Sequence, residues 1–517
     1  MEMGTIMRAM WNRWKVIAIK PEFIGWLLVA LGIGLRLRQY IANRSFWVDE
    51  ATLALNLTHR NFWGLMKPLD YEQGEPVGFL FIEKSIITIL GNRDYILRLF
   101  PLFSGILAGI LFYLIVNSLI KSKIGGLFAA LFFAISWPLI YYSSELKQYS
   151  SDVMVGLLLI YLSLRCLDEK AQIKDFILFG VVSTVGIWIS HPSVFVLAGI
   201  GITLALEKFI TKSYRHLVWT LSLGLTWIVA LGLEYLVSLR YLIGDDYLTA
   251  YWRHGFMPLP PWSNPTWLLQ SYLSLLITIG PNLDGSYLAS ICSLLIIVGI
   301  ISLLLRNRTT TLLVVLPFVM VSIASAMQRY PLRGRFILFL VPFAILLMAE
   351  GLGQIYSLFS KWNPILAASI STVLVLFLLW IPVSGIISRF KDPPMGQDIK
   401  PVMEYVEKNR APGDIVYVFH GARSAFNYYA SFYGLDQGNV ISGDDLSNAP
   451  ALKQFYSQVD QLKGNSRVWI IFSNIIACGG CKGDMLTFYV QYLNQFGSTI
   501  DSFQATGAVV YLYNLNP

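Results

Sequence analysis

The sequence predicts an all-α membrane bundle of about eleven spanning helices, followed by a small C-terminal α/β domain outside the membrane. Of its 517 residues, 55% are hydrophobic and only 14% are charged, against roughly 25% charged residues in an ordinary soluble domain. After residue 388, short β-rich runs alternate with helical stretches, which is typical of a small α/β domain. We therefore assign residues 1–387 to the membrane domain and 388–517 to the soluble domain.

Eleven segments have the length and apolarity of a membrane-spanning helix. In chain order they are 22–40, 96–119, 124–142, 151–167, 176–190, 192–210, 216–237, 286–305, 311–327, 336–356 and 364–386. Arg36 and Arg38 close the first run and no small-residue cleavage site follows, so it reads as an uncleaved span with its N-terminus inside. Two further apolar stretches, 76–91 and 266–280, set an upper limit of about thirteen spans.

Segment 76–91 decides the topology. It is short, follows Pro76 and carries Glu83 and Lys84 in its middle, and each charge at mid-bilayer costs about 2.5–3.5 kcal/mol. We therefore expect an interfacial or re-entrant amphipathic helix. The run 266–280 is predicted to be a second membrane-surface helix.

The basic residues between the spans test this choice, because cytoplasmic loops are enriched in Lys and Arg. If 76–91 does not cross, the following cations all lie on the side of the basic N-terminus: Lys121, Lys123, Arg165, Lys170, Lys174, Lys208, Lys212, Arg215, Arg306, Arg308 and Lys361. The net charge of +8 is then a topology signal, and no stripe for binding nucleic acid is present. Loops 41–94 and 238–285 and the C-terminal domain are predicted to lie outside.

Two adjacent carboxylates, Asp49 and Glu50, follow the first span in the outer loop. Acids at this point suit the N-terminal dipole of the helix predicted after them. Alternatively, one of them is a general base at the rim of an outward-facing cavity, where it takes a proton from an acceptor hydroxyl.

A second polar cluster, 141–149, lies between the third and fourth spans and contains Glu145, Lys147 and Tyr149. It is either an exposed Glu–Lys turn or part of the same outer site. In a helix Lys147 would point nearly opposite to Glu145 and Tyr149. If all three line one site, the backbone there must be extended or kinked.

Three arginines, Arg329, Arg333 and Arg335, stand at the predicted outer end of spans nine and ten. Guanidinium groups suit an anion such as a lipid phosphate, although they could also meet lipid headgroups without specificity or pair with acids of the C-terminal domain. Arg240 and Arg253 in the long outer loop are weaker candidates.

The histidines and cysteines give weaker signals. His191 precedes Pro192 at a helix break, where it either faces the cavity or completes a turn. His59 has no metal-ligand spacing to the acids. Cys166 and Cys292 lie in or beside spans and are expected to pack there. Cys478 and Cys481, separated by two glycines in a domain predicted outside, favour a disulfide over zinc.

These pieces together resemble the polytopic GT-C glycosyltransferases, in particular the family 39-like branch of protein O-mannosyltransferases and bacterial lipid A aminoarabinose transferases. The matching stretches are FWVDEA (46–51), GEPVGFLFIEKSIITILG (74–91), YILRLFPLFSG (95–105), YYSSELKQYS (141–150), ISHPSVFVLAG (189–199) and RFILFLVP (335–342).

The resemblance implies a GT-C bundle that transfers a sugar, with inversion, from a polyprenyl-phosphate donor to a hydroxyl of a glycolipid, glycan or protein. The site would face outward from a bacterial inner membrane. Asp49 falls on the family's catalytic acid and Glu50 on the second acid. Some members of the family bind a divalent metal and others do not, so the resemblance leaves a metal cofactor open, with Asp49, Glu50 and His59 as its candidate ligands.

The donor phosphate site that the resemblance implies includes more residues than the two catalytic acids. Lys147 replaces the arginine of the family's Glu-x-Arg-x-Tyr motif, which weakens the expectation of a bidentate contact there. The remaining expected residues are Glu145, Tyr149, Arg335, Arg333, Arg329, His191, Lys84 and Glu83.

Two other functions remain open. A glycan ligase with a lipid-pyrophosphate donor is also polytopic with outer arginines, but it would not require the acidic pair. A lipid or glycolipid transporter would bury charges within the spans and show related halves, and no internal repeat is apparent in the sequence.

Overall fold

The computed structural model describes residues 20–243, 246–267, 270–271, 287–443, 457–475 and 485–516. The chain divides into two compact units. The first comprises the described residues of 1–40, 76–79 and 99–391, and the second those of 41–75, 80–98 and 392–517. The second unit therefore contains most of the predicted outer loop 41–94 in addition to the predicted C-terminal domain.

The longer helices follow the predicted apolar segments closely. They are α1 (Pro21–Ile41), α2 (Val48–His59), α3 (Val77–Leu90), α4 (Leu99–Leu119), α5 (Lys123–Ile135), α6 (Trp137–Tyr141), α7 (Tyr149–Leu167), α8 (Ile173–Ile189), α9 (Ser193–Ile210), α10 (Tyr214–Glu234), α11 (Tyr287–Arg306), α12 (Arg308–Ala326), α13 (Val341–Ser360), α14 (Pro364–Lys391), α15 (Lys400–Asn409), α16 (Arg423–Tyr429) and α17 (Met485–Leu493).

All eleven predicted spans are helical in the structure. Within the described residues nine helices are long and apolar enough to cross a membrane, and the bent pair α5–α6 makes ten. Helix α8, with 17 residues, lies at the short end of the range of about 17–25 residues for a spanning helix. The predicted count of eleven corresponds to these nine, the bent pair and α8.

The predicted span 124–142 is wrong in one respect, because it is two helices and not one. Helices α5 and α6 meet at an angle of 51°, and Ser136 between them has an extended backbone, with φ −62° and ψ 110°. Pro138 lies in the first turn of α6, where its missing N–H costs no hydrogen bond, whereas in the interior of one continuous helix it would remove a hydrogen bond and crowd the carbonyl four residues earlier.

Helix α13 is the central helix of the first unit. It lies within the candidate span Gly334–Ser360, whose apolar stretch is 94% buried, the highest share among the candidate spans of the described residues, and it packs against α11, α5 and α14. A Cβ on Gly351 would approach the Leu295 carbonyl oxygen to 2.1 Å, and one on Gly299 would approach the Leu347 oxygen to 2.0 Å. These two glycines let the backbones of α11 and α13 touch, as small residues do in membrane helix pairs.

Helix α3 confirms that segment 76–91 is helical. Its 14 residues would rise only about 21 Å, which is short of a hydrocarbon core of about 30 Å. Its placement at the membrane surface stays a prediction.

The C-terminal part of the second unit is built on a five-stranded sheet. Its strands are β1 (Ile415–Val418), β2 (Asn439–Ser442), β3 (Val468–Ser473), β4 (Ser498–Ala505) and β5 (Ala508–Asn514). The strand order is β2-β1-β3-β5-β4; β1 runs parallel to β2 and β3, and β5 runs antiparallel to β3 and β4. All six residues of β3 are buried, as expected for a central strand covered on both faces.

The α/β prediction for 388–517 is confirmed, with omissions. Strands β2 and β4 were not predicted, because their exposed residues lack the continuous apolar runs of β3 and β5. Half of the predicted helix 450–463, most of the surface helix 266–280 and the pair Cys478 and Cys481 lie outside the described residues.

Candidate functional site

The predicted acidic pair lies in the first turn of α2. Asp49 is half-buried, whereas its neighbour Glu50 has no exposed surface. Successive helical residues point about 100° apart, so the two carboxylates face different surroundings. Both also lie where the helix dipole stabilises negative charge.

Glu50 is held by two buried arginines. Its Oε1 accepts from Arg98 Nε at 2.9 Å and its Oε2 from Arg98 Nη2 at 2.8 Å, while Arg44 Nη1 lies 3.2 Å from Oε2. Arg98 also donates to the backbone carbonyls of Arg44 and Ser45, at 2.6 and 3.3 Å, and its guanidinium lies over the Phe46 ring. These contacts favour a structural role for Glu50, unlike the catalytic role that the sequence led us to expect.

His59 cannot complete a metal site with the acids. It is exposed in the last turn of α2, ten residues beyond Asp49, and a rise of 1.5 Å per residue separates the two by about 15 Å along the helix axis. Among the described residues no group of three potential ligands is close enough to hold a metal ion. The expected metal set of Asp49, Glu50 and His59 is therefore wrong.

Glu83 and Lys84, both predicted to contact the donor, have different surroundings. Lys84 Nζ donates to the Leu57 carbonyl at 2.7 Å, so it meets the negative end of the α2 dipole. Glu83 is fully buried, and neither carboxylate oxygen has a hydrogen-bond partner among the described residues. Burial raises the pKa of Glu83 well above its usual range, which favours the neutral acid. Neither geometry resembles a phosphate contact.

In the first unit the polar cluster 141–149 is not an exposed turn. Glu145 and Lys147 are 1% and 4% exposed, and the backbone bends between a 3-10 turn at Tyr142–Ser144 and the start of α7. Glu145 is extended, with φ −122° and ψ 132°. This is the non-helical backbone that a shared site for Glu145, Lys147 and Tyr149 requires.

The arginines after α12 divide into two groups. Arg335 is half-buried, and its guanidinium carbon lies 5.5 Å from the centre of the Tyr149 ring. The predicted association of Arg335 with the 141–149 cluster is thus present. Arg329 and Arg333 are exposed, and the weaker candidates Arg240 and Arg253 are exposed as well.

His191 lies beside a carboxylate that sequence reasoning missed. Its Nε2 is 3.0 Å from Oε1 of Glu234, which is fully buried at the end of α10. Asp152, in the first turn of α7, is close enough to Ser190 and His191 to interact with them. His191 therefore lies between α8 and α9, beside one carboxylate of α7 and one of α10.

Arg44 and Arg98 were also missed, although a signal for them existed. A buried carboxylate needs a cation or a proton, and Arg44 precedes the stretch FWVDEA while Arg98 lies in the stretch 95–105 that carried the resemblance. The free, buried thiols of Cys166 and Cys292 are as predicted.

Part of this site lies in a region that is similar to a known protein family. Residues 74–231 match the family described as dolichyl-phosphate-mannose-protein mannosyltransferase. This match includes Glu83, Lys84, the 141–149 cluster and His191, but not Asp49. No curated protein matches the whole sequence significantly.

Solved structures match nearly the full chain. ArnT from Cupriavidus metallidurans in the apo state superposes with a TM-score of 0.52 at 12% identity, over 94% of this chain and 98% of that one. ArnT bound to undecaprenyl phosphate gives 0.50 at 12% identity over the same shares. The Archaeoglobus fulgidus oligosaccharyltransferase, in complex with zinc and sulfate, gives 0.51 at 10% identity over 95% of this chain and 73% of that one.

The fold is that of the GT-C glycosyltransferases. The apolar helices and this GT-C likeness together make the chain an integral membrane protein. The predicted fold class, a GT-C bundle with a small C-terminal sheet domain, is confirmed. Sequence identity this low shows the fold alone and does not show the reaction.

Proposed function

We propose that this GT-C protein transfers a sugar from a polyprenyl-phosphate donor to an acceptor hydroxyl at the outer face of the membrane, with inversion at the anomeric carbon. The acceptor is a glycolipid, a glycan or a protein. Asp49 is the general base, and Lys147 and Arg335 bind the donor phosphate.

The observation that carries this proposal is the contrast between Asp49 and Glu50. Glu50 is locked between Arg44 and Arg98, so it fixes the first turn of α2. Asp49, one residue earlier, is half-buried and accessible. A carboxylate on a rigid turn, with access to solvent, is what a general base for an acceptor hydroxyl needs.

Donor binding is supported by the contact of Arg335 with Tyr149. Contact with an aromatic ring orients a guanidinium, and a planar guanidinium fork matches the oxygen geometry of a phosphate. Lys147 lies two residues from Tyr149 and is 4% exposed. Because little water surrounds it, its attraction to a phosphate is screened less than at the protein surface.

The reaction balances without any further reactant. The acceptor oxygen attacks the anomeric carbon as the Asp49 carboxylate takes its proton, and the bond from that carbon to the phosphate oxygen breaks. The polyprenyl phosphate leaves with the electron pair, stabilised by the two cations. Attack opposite the leaving group inverts the anomeric configuration.

The test uses the full chain in lipid nanodiscs with a panel of undecaprenyl-phosphate sugars, and mass spectrometry follows the release of undecaprenyl phosphate and its product glycosides. We expect turnover with at least one donor and an inverted product. Failure of every monophosphate donor would overturn the proposal, and turnover of a lipid-pyrophosphate glycan instead would identify a ligase, a reaction for which the likeness to the oligosaccharyltransferase fold offers support.

A further inference from the structure

Three residues at the start of the C-terminal domain, Gln397, Asp398 and Lys400, contact the stretch that precedes Asp49; we call them the clasp. Asp398 accepts hydrogen bonds from the backbone N–H of Ser45, at 3.3 Å, and from its hydroxyl. The Ser45 hydroxyl in turn accepts from the backbone N–H of Lys400 at 3.0 Å. Ser45 is fully buried, and Asp398 is 7% exposed.

The other clasp residues extend these contacts in both directions along the chain. Lys400 Nζ donates to the Asn43 carbonyl at 2.6 Å, where Asn43 has a left-handed φ of 43°. Gln397 Oε1 accepts from the Val48 N–H at 3.2 Å, and its Nε2 donates to Asn474 Oδ1 at 2.8 Å. Asn474 directly follows β3, so the contact leads from Val48 to the sheet.

Tyr429 and Asp94 make a second set of hydrogen bonds next to those of the clasp. Tyr429 in α16 accepts from the Phe46 N–H at 3.0 Å and donates to Asp94 at 3.1 Å, while Lys400 Nζ lies 2.7 Å from the same Asp94 oxygen. Burial raises the pKa of Tyr429 well above its usual range, so its hydroxyl remains a donor to Asp94.

These contacts define the conformation of residues 43–48. Residues 43–47 have no regular secondary structure, so their backbone groups need partners from elsewhere. Lys400, Asp398 and Tyr429 serve three of them, at Asn43, Ser45 and Phe46, and Gln397 serves the N–H of Val48. Trp47, the N-cap of α2, makes no side-chain cap bond, and the Gln397 oxygen serves the first helical N–H in its place.

We propose that Gln397, Asp398 and Lys400 are positioning residues for Asp49, which makes the C-terminal domain a working part of the transferase. The inference rests on the proposed role of Asp49 as general base. The base follows Val48 directly, so any shift of residues 43–48 displaces it. A misplacement of about 1 Å at a reacting group can lower the rate about 100-fold.

The decisive variant is Asp398→Ala, compared with Asp398→Asn, which keeps an oxygen acceptor for Ser45. For Asp398→Ala we expect kcat to fall about 100-fold, with unchanged donor KM and unchanged binding of undecaprenyl phosphate, and with a modest fall in the thermal midpoint because the buried Ser45 N–H and hydroxyl lose their partner. Asp398→Asn should restore most of the turnover. Asp460→Ala, which removes an exposed acid of the same domain, is the matched control and should behave as the unsubstituted protein.

A second pair of variants tests the contact itself. Ser45→Ala and Asp398→Ala should lower kcat by similar factors, and the double variant by no more than either, because the two side chains form one hydrogen-bonded unit. If Asp398→Ala does not fold, Ser45→Ala and Gln397→Met carry the same test. Ser45→Ala removes the hydroxyl's bonds with Asp398 and Lys400, and Gln397→Met removes the amide's bonds with Val48 and Asn474.

Hydrogen exchange tests this inference independently of the proposed function. Exchange at residues 43–50 should rise in Asp398→Ala and not in Asp460→Ala, whatever the protein catalyses. Full turnover by Asp398→Ala in a protein that Asp49→Asn inactivates would overturn the inference, as would equal losses of kcat, phosphate binding and thermal stability. Raised exchange in a protein without any transfer would instead count against the proposed function alone.

Discussion

The two segments that carry the proposed residues, the start of α2 and the bend at residues 145–149, are held in different ways. At the start of α2, opposite charges pair directly, as Glu50 does with Arg44 and Arg98. At the bend, an arginine lies on an aromatic ring, as Arg335 does on Tyr149. Paired carboxylate and guanidinium groups fix the backbone segments that carry them, whereas contact with a ring orients the plane of a guanidinium. The first arrangement suits the placement of a base and the second the binding of a phosphate.

The largest effect is expected from Asp49→Asn. The amide keeps the shape of the side chain but cannot take a proton, and a general base contributes about 100- to 10,000-fold to a rate. We expect that loss in kcat, with normal folding and normal undecaprenyl phosphate binding, measured by turnover and by a binding titration. Near-normal turnover would remove Asp49 from the mechanism.

Glu50→Gln should act on stability first. It leaves two buried guanidinium groups without their counter-charge, and breaking a buried ion pair costs about 3–5 kcal/mol. Denaturant unfolding of Glu50→Gln, beside Glu404→Gln at an exposed site on α15, measures the difference. If Glu50→Gln kept normal stability but lost turnover, Glu50 would be a catalytic acid. Its role would then no longer differ from that of Asp49 in the way proposed.

Donor affinity should respond to Arg335→Met and Lys147→Met. A hydrogen bond to a charged group is worth about 1.5–3 kcal/mol, so each variant should weaken undecaprenyl phosphate binding about 10- to 100-fold. We expect Arg335→Lys to recover only part of this loss, because an ammonium does not reproduce a planar fork. Lys361→Met, at an exposed loop position, serves as the control. Unchanged affinity in both variants would leave the bend without a phosphate role.

The smallest effect concerns Glu83, a buried acid that contrasts with the ion-paired Glu50. Its pKa is raised by burial, so above an ordinary carboxyl pKa of about 4.3 the folded protein holds a proton that the unfolded chain releases. Stability should therefore fall as the pH rises through this window. Glu83→Gln should show a flatter decline in thermal midpoint between about pH 5 and pH 8. An identical decline in both proteins would mean that Glu83 is charged in the fold.

The sequence by itself determined the membrane bundle and the small sheet domain. Apolar runs such as 22–40 and 364–386 became α1 and α14 with ends close to those predicted. The reason is that a single segment crossing lipid must satisfy its backbone hydrogen bonds within itself, and a helix does so. The buried strands β3 and β5 were equally visible as continuous apolar runs. A shared donor phosphate site for Arg335 and the 141–149 cluster was implied by the family resemblance.

Only the tertiary structure decided which of the charged residues serve the fold. Asp49 and Glu50 are neighbours of one chemical type, and their difference arises from Arg44 and Arg98, which reach Glu50 from elsewhere in the chain. The stretch 392–398, which lies between α14 and α15, includes two of the three clasp residues that contact residues 43–48. A side chain's burial and partners depend on residues far away in sequence, so local pattern could locate the acids but could not assign their roles.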